Sequence, residues 1–189
     1  LAEARSRDVI VAYGMNGVQL PLLNGFPLRL IVPGYYSTYW VKALDSIELL
    51  TGPDTGYWME KAYRIPTAPR ASVVPGAKDF PTAPIGRMLP RAFFTKADAQ
   101  AVRGIAMGGD AGVAKVEWSI DAGKSWHAAQ LGRDHGQYGF RRWAAALPHG
   151  SHTVAVRATN VRGITQVADP IWNPGGYMRT VIETAKVTV

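Results

Sequence analysis

The chain has 189 residues, 47% hydrophobic and 19% charged, which is enough apolar material for a sizeable core and too much for a disordered chain. The formal charge is +7, but the 21 lysines and arginines are scattered, with Arg141-Arg142 the one adjacent pair. That argues against a clustered nucleic-acid surface and leaves the charge free to steer an anionic substrate or an acidic redox partner. With Cys 0, neither a disulfide nor a thiolate metal site can form within these residues.

No apolar run approaches the roughly 20 residues that span a bilayer. The opening Leu1-Ala2-Glu3-Ala4-Arg5 offers neither an initiator methionine nor an apolar signal core. It reads as a processed, clipped or partial chain. Ala2 to Arg7 reads as the end of a helix and Val9 to Tyr13 as a strand. Asn16-Gly17 is a hairpin turn signal. Leu28 to Val32 is a second strand, stopped by Pro33-Gly34. Trp40 to Leu50 reads as a short turn followed by a strand, and Thr51 to Thr55 as a loop.

From Pro66 to Pro90 prolines recur at 66, 69, 75, 81, 84 and 90. Proline removes ladder donors and fixes φ, so this stretch cannot be sheet interior and reads as an extended linker over a surface. The remainder has strands expected at Ala101 to Met107, Val113 to Ile120, His127 to Gln130, Phe140 to Ala146, His152 to Asn160 and Thr180 to Val189. Short strands at near-regular spacing with Gly, Asn and Asp turns indicate an immunoglobulin-like β-sandwich. Val116, Trp118 and Ile120 fall on one face at period two, which predicts a mostly buried Trp118.

No Cys-x-x-Cys, Gly-x-Ser-x-Gly or Gly-rich phosphate loop occurs. His149 and His152 flank Gly150 in a turn with nothing acidic beside them. Those two, with His127 and His135, read as loop and strand-end residues.

The most specific feature is an ordered set of short segments. Ala12-Tyr13-Gly14-Met15-Asn16-Gly17 is followed by Asn24-Gly25-Phe26-Pro27-Leu28-Arg29, Val32-Pro33-Gly34, Trp40-Val41-Lys42, and Trp58-Met59-Glu60-Lys61-Ala62-Tyr63-Arg64-Ile65-Pro66. A Ser125-Trp126 hairpin and Pro170-Ile171-Trp172-Asn173-Pro174-Gly175-Gly176-Tyr177 come later. In order and spacing this set resembles the C-terminal half of the sulfite oxidase family of molybdenum enzymes, most closely its bacterial sulfite dehydrogenases. The resemblance runs from about Val9 to Val189. It implies a mainly β chain in which residues 1–68 close a mixed α+β molybdopterin-binding domain. Residues 69–90 would form the Pro-rich linker and 91–189 an immunoglobulin-like dimerisation domain.

The resemblance also assigns residues. Arg29 and Lys42, which in isolation read as strand-edge charges, align with residues that bind the pterin cofactor. A guanidinium can grip phosphate oxygens in bidentate fashion, and lysine adds a point charge. Ser37, in the Ser37-Thr38-Tyr39 loop, can offer a hydroxyl to the same ligand. Asn24 stands where animal members have histidine, and its amide can still hydrogen-bond the cofactor. Tyr63 matches the active-site tyrosine beside the metal, where a phenol can donate to a bound oxyanion without carrying charge. At Gly175 animal members carry an arginine that lines the anion pocket, so one cation is lost here unless Arg179 or another residue replaces it.

The implied cofactor is molybdenum-molybdopterin, with the metal-ligating cysteine outside this chain. The implied activity is sulfite oxidation to sulfate with electrons passing to a c-type cytochrome. The implied setting is a periplasmic homodimer completed by an N-terminal half or a companion chain. Two rival readings stand beside it: a non-enzymatic immunoglobulin-like dimerisation or binding module, and the same enzyme family acting on a different sulfur substrate. The first rival accounts for the second half of the chain but not for Arg29, Lys42 and Tyr63 together.

Overall fold

A computed structural model describes residues 2–189, and it is mostly β. Glu3–Arg5 forms one 3₁₀ turn. It is followed by β1 (Ile10–Ala12), β2 (Gly14–Met15), β3 (Val18–Gln19) and β4 (Arg29–Ile31). β1 pairs antiparallel with β4, Ala12 opposite Arg29, and β2 with β3 around the Asn16-Gly17 turn. Both are two-stranded sheets with open edges. The expected strand within Trp40 to Leu50 does not form. Only Leu44 in that stretch is buried, and its N–H bonds to the Leu28 carbonyl at 2.8 Å. Ile47 and Leu49 point outward, 71% and 75% exposed, so the segment has no core to alternate against. Tyr13, Val18, Leu22, Leu23 and Trp58 are also largely exposed, so the apolar surface is concentrated on residues 10–58.

The proline-rich stretch does more than run over a surface. β5 (Arg64–Pro66) and β6 (Thr82–Pro84) pair antiparallel, Ile65 opposite Ala83. The prolines at 66 and 84 are tolerated because this ladder has only two strands. The loop between them includes a turn at Pro69–Ala71. Ile85 and Pro90 are buried, so the segment is packed at both ends of its return to the second half.

That half is a sandwich of two antiparallel four-stranded sheets. Its strands are β7 (Arg91–Ala97), β8 (Val102–Met107), β9 (Val113–Ser119), β10 (His127–Ala128), β11 (Gln130–Leu131), β12 (Arg141–Ala145), β13 (Ser151–Asn160) and β14 (Glu183–Thr188). One sheet runs β10-β9-β13-β14 and the other β11-β12-β8-β7. The core draws Ala92, Val102, Ala106, Trp143 and Ala145 from one sheet and Val113, Val116, Val156 and Ala158 from the other.

Three details differ from the sequence expectation. β7 has no counterpart among the expected strands, because Ala92, Phe93 and Phe94 are consecutive apolar residues and show no alternation. The run His127 to Gln130 is two strands in different sheets. Its chain crosses between them at Ala129, whose N–H bonds to Val116 at 2.9 Å. Trp118 is only half-buried at the core edge, against His127. Trp143 is the interior tryptophan, 2% exposed.

Candidate functional site

The turn Leu22–Asn24 ends at Gly25, which takes φ of 109°. A side chain there would be strained, and its first carbon would sit tight against two others. A Cβ on Gly25 would lie 3.1 Å from the Cβ of Lys42 and 3.3 Å from that of Arg29. The two cationic stems therefore flank one glycine. Arg29 reaches it as the first residue of β4. Lys42 reaches it because the following chain is tied back along Gly25 and Leu28, with Ala43 N–H on the Gly25 carbonyl (3.3 Å) and Leu44 N–H on that of Leu28.

Both cations lean on the same turn. Arg29 Nη1 donates to the Asn24 carbonyl at 3.3 Å, and Lys42 Nζ to the Leu23 carbonyl at 3.0 Å. Arg29 Nε is buried and has no hydrogen-bond partner among the described residues. A buried unsatisfied guanidinium donor is costly unless an acceptor reaches it. Paired cations and an orphaned donor are the chemistry a phosphate needs, so these residues fit the anionic end of the pterin cofactor. No cysteine is present to ligate its metal.

Asn24 contributes its backbone carbonyl here and is half-buried. Ser37 stands one loop away, exposed, at the start of the Ser37–Tyr39 turn. Trp40 connects the two places. Its indole N–H donates to the Val32 carbonyl at 2.7 Å, its backbone N–H to Ser37 at 3.0 Å, and the Arg29 guanidinium sits 5.8 Å from its ring centre.

Tyr63 lies in a different cluster. Trp58–Ala62 forms a single π-helical turn, closed by Tyr63 N–H on the Trp58 carbonyl at 2.7 Å. Such turns are rare and recur at functional sites. This one stacks the Tyr63 ring on Trp58, centroids 5.4 Å apart and 22° between planes. Tyr177, from the far end of the chain, meets Tyr63 edge-on at 6.2 Å.

Arg64 has a clear direction here. Its nitrogens donate to the Thr82 hydroxyl and carbonyl, both at 2.8 Å, and to the Met59 carbonyl at 3.3 Å. It braces the π-turn against β6. The two clusters are joined through Ile85, whose N–H donates to the Tyr63 carbonyl and whose carbonyl accepts from the Tyr39 phenol. Burial, aided by neighbouring Tyr35, raises the Tyr39 phenol above its ordinary pKa, which keeps it a donor.

The structure thus gathers Asn24, Arg29 and Lys42 around Gly25, leaves Ser37 one loop away, linked to them through Trp40, and keeps Tyr63 in a separate cluster. Trp40, Trp58 and Tyr177 stand within the ordered segments but carry no role that their sequence alone assigns. Nothing in a one-dimensional pattern shows which aromatic rings will meet.

The family model described as "Oxidoreductase molybdopterin binding domain" matches residues 1–58. The model described as "Mo-co oxidoreductase dimerisation domain" matches residues 90–189, more than half of the chain. The chain belongs to the sulfite oxidase family of molybdenum oxidoreductases. It is 30% identical over 194 residues to sulfite oxidase from Arabidopsis thaliana, a match covering 92% of this chain and 49% of that protein. The sulfite oxidase of Gallus gallus is 30% identical over 198 residues, covering 92% of this chain and 41% of that one. Nitrate reductase [NADH] 2 of Phaseolus vulgaris is 29% identical over 221 residues, covering 97% of this chain and 24% of that one. The chain therefore spans half or less of the length of these relatives. In fold it is similar to the sulfane dehydrogenase SoxCD from Paracoccus pantotrophus, with a TM-score of 0.81 at 20% identity, covering 96% of this chain and 49% of that one. Among the described residues, no helix is long and apolar enough to cross a membrane.

Proposed function

We propose that this chain supplies the closing part of the cofactor domain and the dimerisation domain of a molybdenum enzyme that oxidises sulfite to sulfate. The observation that carries this reading is the convergence of Arg29 and Lys42 on Gly25 with the buried, unpartnered Nε of Arg29. Arg29 and Lys42 hold the phosphate end of molybdopterin, with Asn24 and Ser37 offering neutral donors. When bound, the cofactor supplies the redox chemistry, and the protein supplies orientation and electrostatics. Tyr63 stands toward the metal end and gives a neutral donor to the oxyanion. The open strand edges and exposed apolar side chains of residues 10–58 are covered by the rest of the cofactor domain, which brings the cysteine ligand. The sandwich pairs two copies, and electrons leave to a c-type cytochrome in the periplasm.

The test compares Arg29→Ala with Tyr63→Phe in the enzyme that contains this chain. Arg29→Ala loses charge-assisted bonds worth roughly 1.5–3 kcal/mol each and lowers molybdenum per protein. Tyr63→Phe keeps molybdenum and lowers sulfite turnover. Equal molybdenum loss in both variants refutes this division of labour. The match to a nitrate reductase over 97% of the chain favours one second reading, the same cofactor domain serving another substrate. Turnover with sulfite against other candidate substrates separates the two.

A further inference from the structure

Tyr177 comes from the dimerisation domain, more than a hundred residues after Tyr63, yet its ring meets Tyr63 directly. The chain fixes it there from both sides. Its N–H donates to Asn173 Oδ1 at 2.9 Å, and its carbonyl accepts from Asn173 Nδ2 at 3.0 Å. Asn173 is buried, and the same amide reaches the Ala71 carbonyl at 3.1 Å. Trp172 is tied to the same stretch, with its N–H on Ser72 Oγ and its carbonyl accepting from Val73 N–H. The segment 172–177, which turns at Pro174-Gly175, is thus clamped to residues 71–73 and delivers a ring to the Trp58–Tyr63 stack.

Gly175 is what makes room for that ring. A Cβ at Gly175 would lie 2.4 Å from Cε2 and 2.6 Å from Cδ2 of Tyr177. No side chain fits at 175 while Tyr177 keeps its place. Of the basic residues nearest in sequence, Arg64 donates to Thr82 and Met59, while Lys61 and Arg179 form exposed pairs with Glu60 and Glu183. The rings that meet Tyr63 are those of Trp58 and Tyr177.

The geometry points to Tyr177 as a specificity-determining residue of this site, its ring forming with Trp58 and Tyr63 an aromatic wall that receives the apolar organic group of an anionic sulfur substrate. This rests on the reading of Tyr63 as a site residue and, of the two readings above, on the one in which the cofactor domain serves a substrate other than sulfite. Aromatic faces gain from stacking and burial of apolar groups, whereas a small inorganic oxyanion gains nothing from them without a cation.

The test is equilibrium binding, by titration calorimetry, of benzenesulfonate and methanesulfonate to the molybdenum-loaded enzyme containing this chain. The two probes carry the same charge and differ by the ring. The native enzyme binds benzenesulfonate roughly three- to tenfold tighter. Tyr177→Phe keeps that ratio. Tyr177→Ala abolishes it, and so does Gly175→Ala, which leaves the Tyr177 ring intact but pushes it out of place. Gly175→Ala and Tyr177→Leu carry the test should Tyr177→Ala fail to fold. Equal affinity for both probes in the native enzyme, or an unchanged ratio in Tyr177→Ala or Gly175→Ala, overturns the inference. Molybdenum content separates the two failures. An enzyme that carries molybdenum but shows no ring preference sinks only the role of Tyr177, whereas an enzyme without molybdenum sinks the proposed function.

Discussion

The indole of Trp143 lies directly over Gly104 on the neighbouring strand. The two are register partners in β12 and β8, and a Cβ on Gly104 would fall 2.5 Å from the ring and 1.9 Å from the Phe93 carbonyl. The indole N–H is satisfied by the Ile105 carbonyl at 3.2 Å, and Phe94 packs edge-on at 5.6 Å. One missing side chain thus seats the largest buried one.

Gly104→Ala is accordingly expected to destabilise the sandwich by about 1–3 kcal/mol or more, because backbone must move to admit one methyl. Trp143→Ala is expected to cost about 3–5 kcal/mol through the cavity it leaves. Urea denaturation followed by fluorescence checks both. A Gly104→Ala variant as stable as the native protein contradicts the packing described.

Gln166 ties the two sheets together by its amide. Its Oε1 accepts from Ala92 N–H at 2.8 Å and Ala158 N–H at 3.0 Å, and its Nε2 donates to the Val181 carbonyl at 2.6 Å. Gln166→Leu fills similar space and leaves these buried backbone groups unpaired. At roughly 1–3 kcal/mol for each unsatisfied group, the expected loss in thermal denaturation exceeds that of an ordinary surface substitution several-fold.

The hairpin between β9 and β10 depends on Asp121. Hydrogen bonds from the Ser125 hydroxyl first, then from the Ser125 N–H and the Ser119 hydroxyl, hold its carboxyl well below the usual carboxylate range. A depressed folded-state pKa stabilises above the unfolded value of about 3.9 and loses its effect as pH falls through the folded value. The advantage of the native protein over Asp121→Ala in melting temperature should be full at neutral pH and shrink steadily below about pH 4. A difference that grows in acid contradicts the assignment.

Asp110 joins the first segment to the sandwich. Its side chain is 6% exposed, and it pairs with Arg162 at 2.7 Å and faces Arg87 Nε at 3.8 Å. Arg87 also pairs with Glu3 and stacks on Tyr35. Both arginines are partly solvated, so Asp110→Ala is expected to cost only about 1–2 kcal/mol overall. Its sharper signature is limited proteolysis. Cleavage between residues 67 and 90 should accelerate, because the seam that holds the first segment has lost its buried carboxylate.

Local pattern alone determined a good part of this protein. The strands around Val102, Val113, Trp143 and Val154 were legible because short apolar runs bounded by Gly, Asn and Asp specify sheet and turn without reference to distant residues. The ordered segments from Asn24 to Tyr63 carried the family, since each is a contiguous string of side chains and backbone turns. Tertiary structure alone decided the rest. Trp118 and Trp143 sit in similar alternating strands, and only the pairing of β12 with β8 puts a glycine under one of them. His127 to Gln130 is one extended run in sequence, and only the closure of the sandwich sends its halves to different sheets. At the site, Arg29 and Lys42 were legible as cations, but their meeting at Gly25 follows from the return of the chain along Leu28. Tyr63 and Tyr177 stand more than a hundred residues apart, and their contact exists only because Asn173 clamps the end of the chain onto Ala71. Periodicity reports on neighbours along the chain, whereas packing depends on neighbours in space.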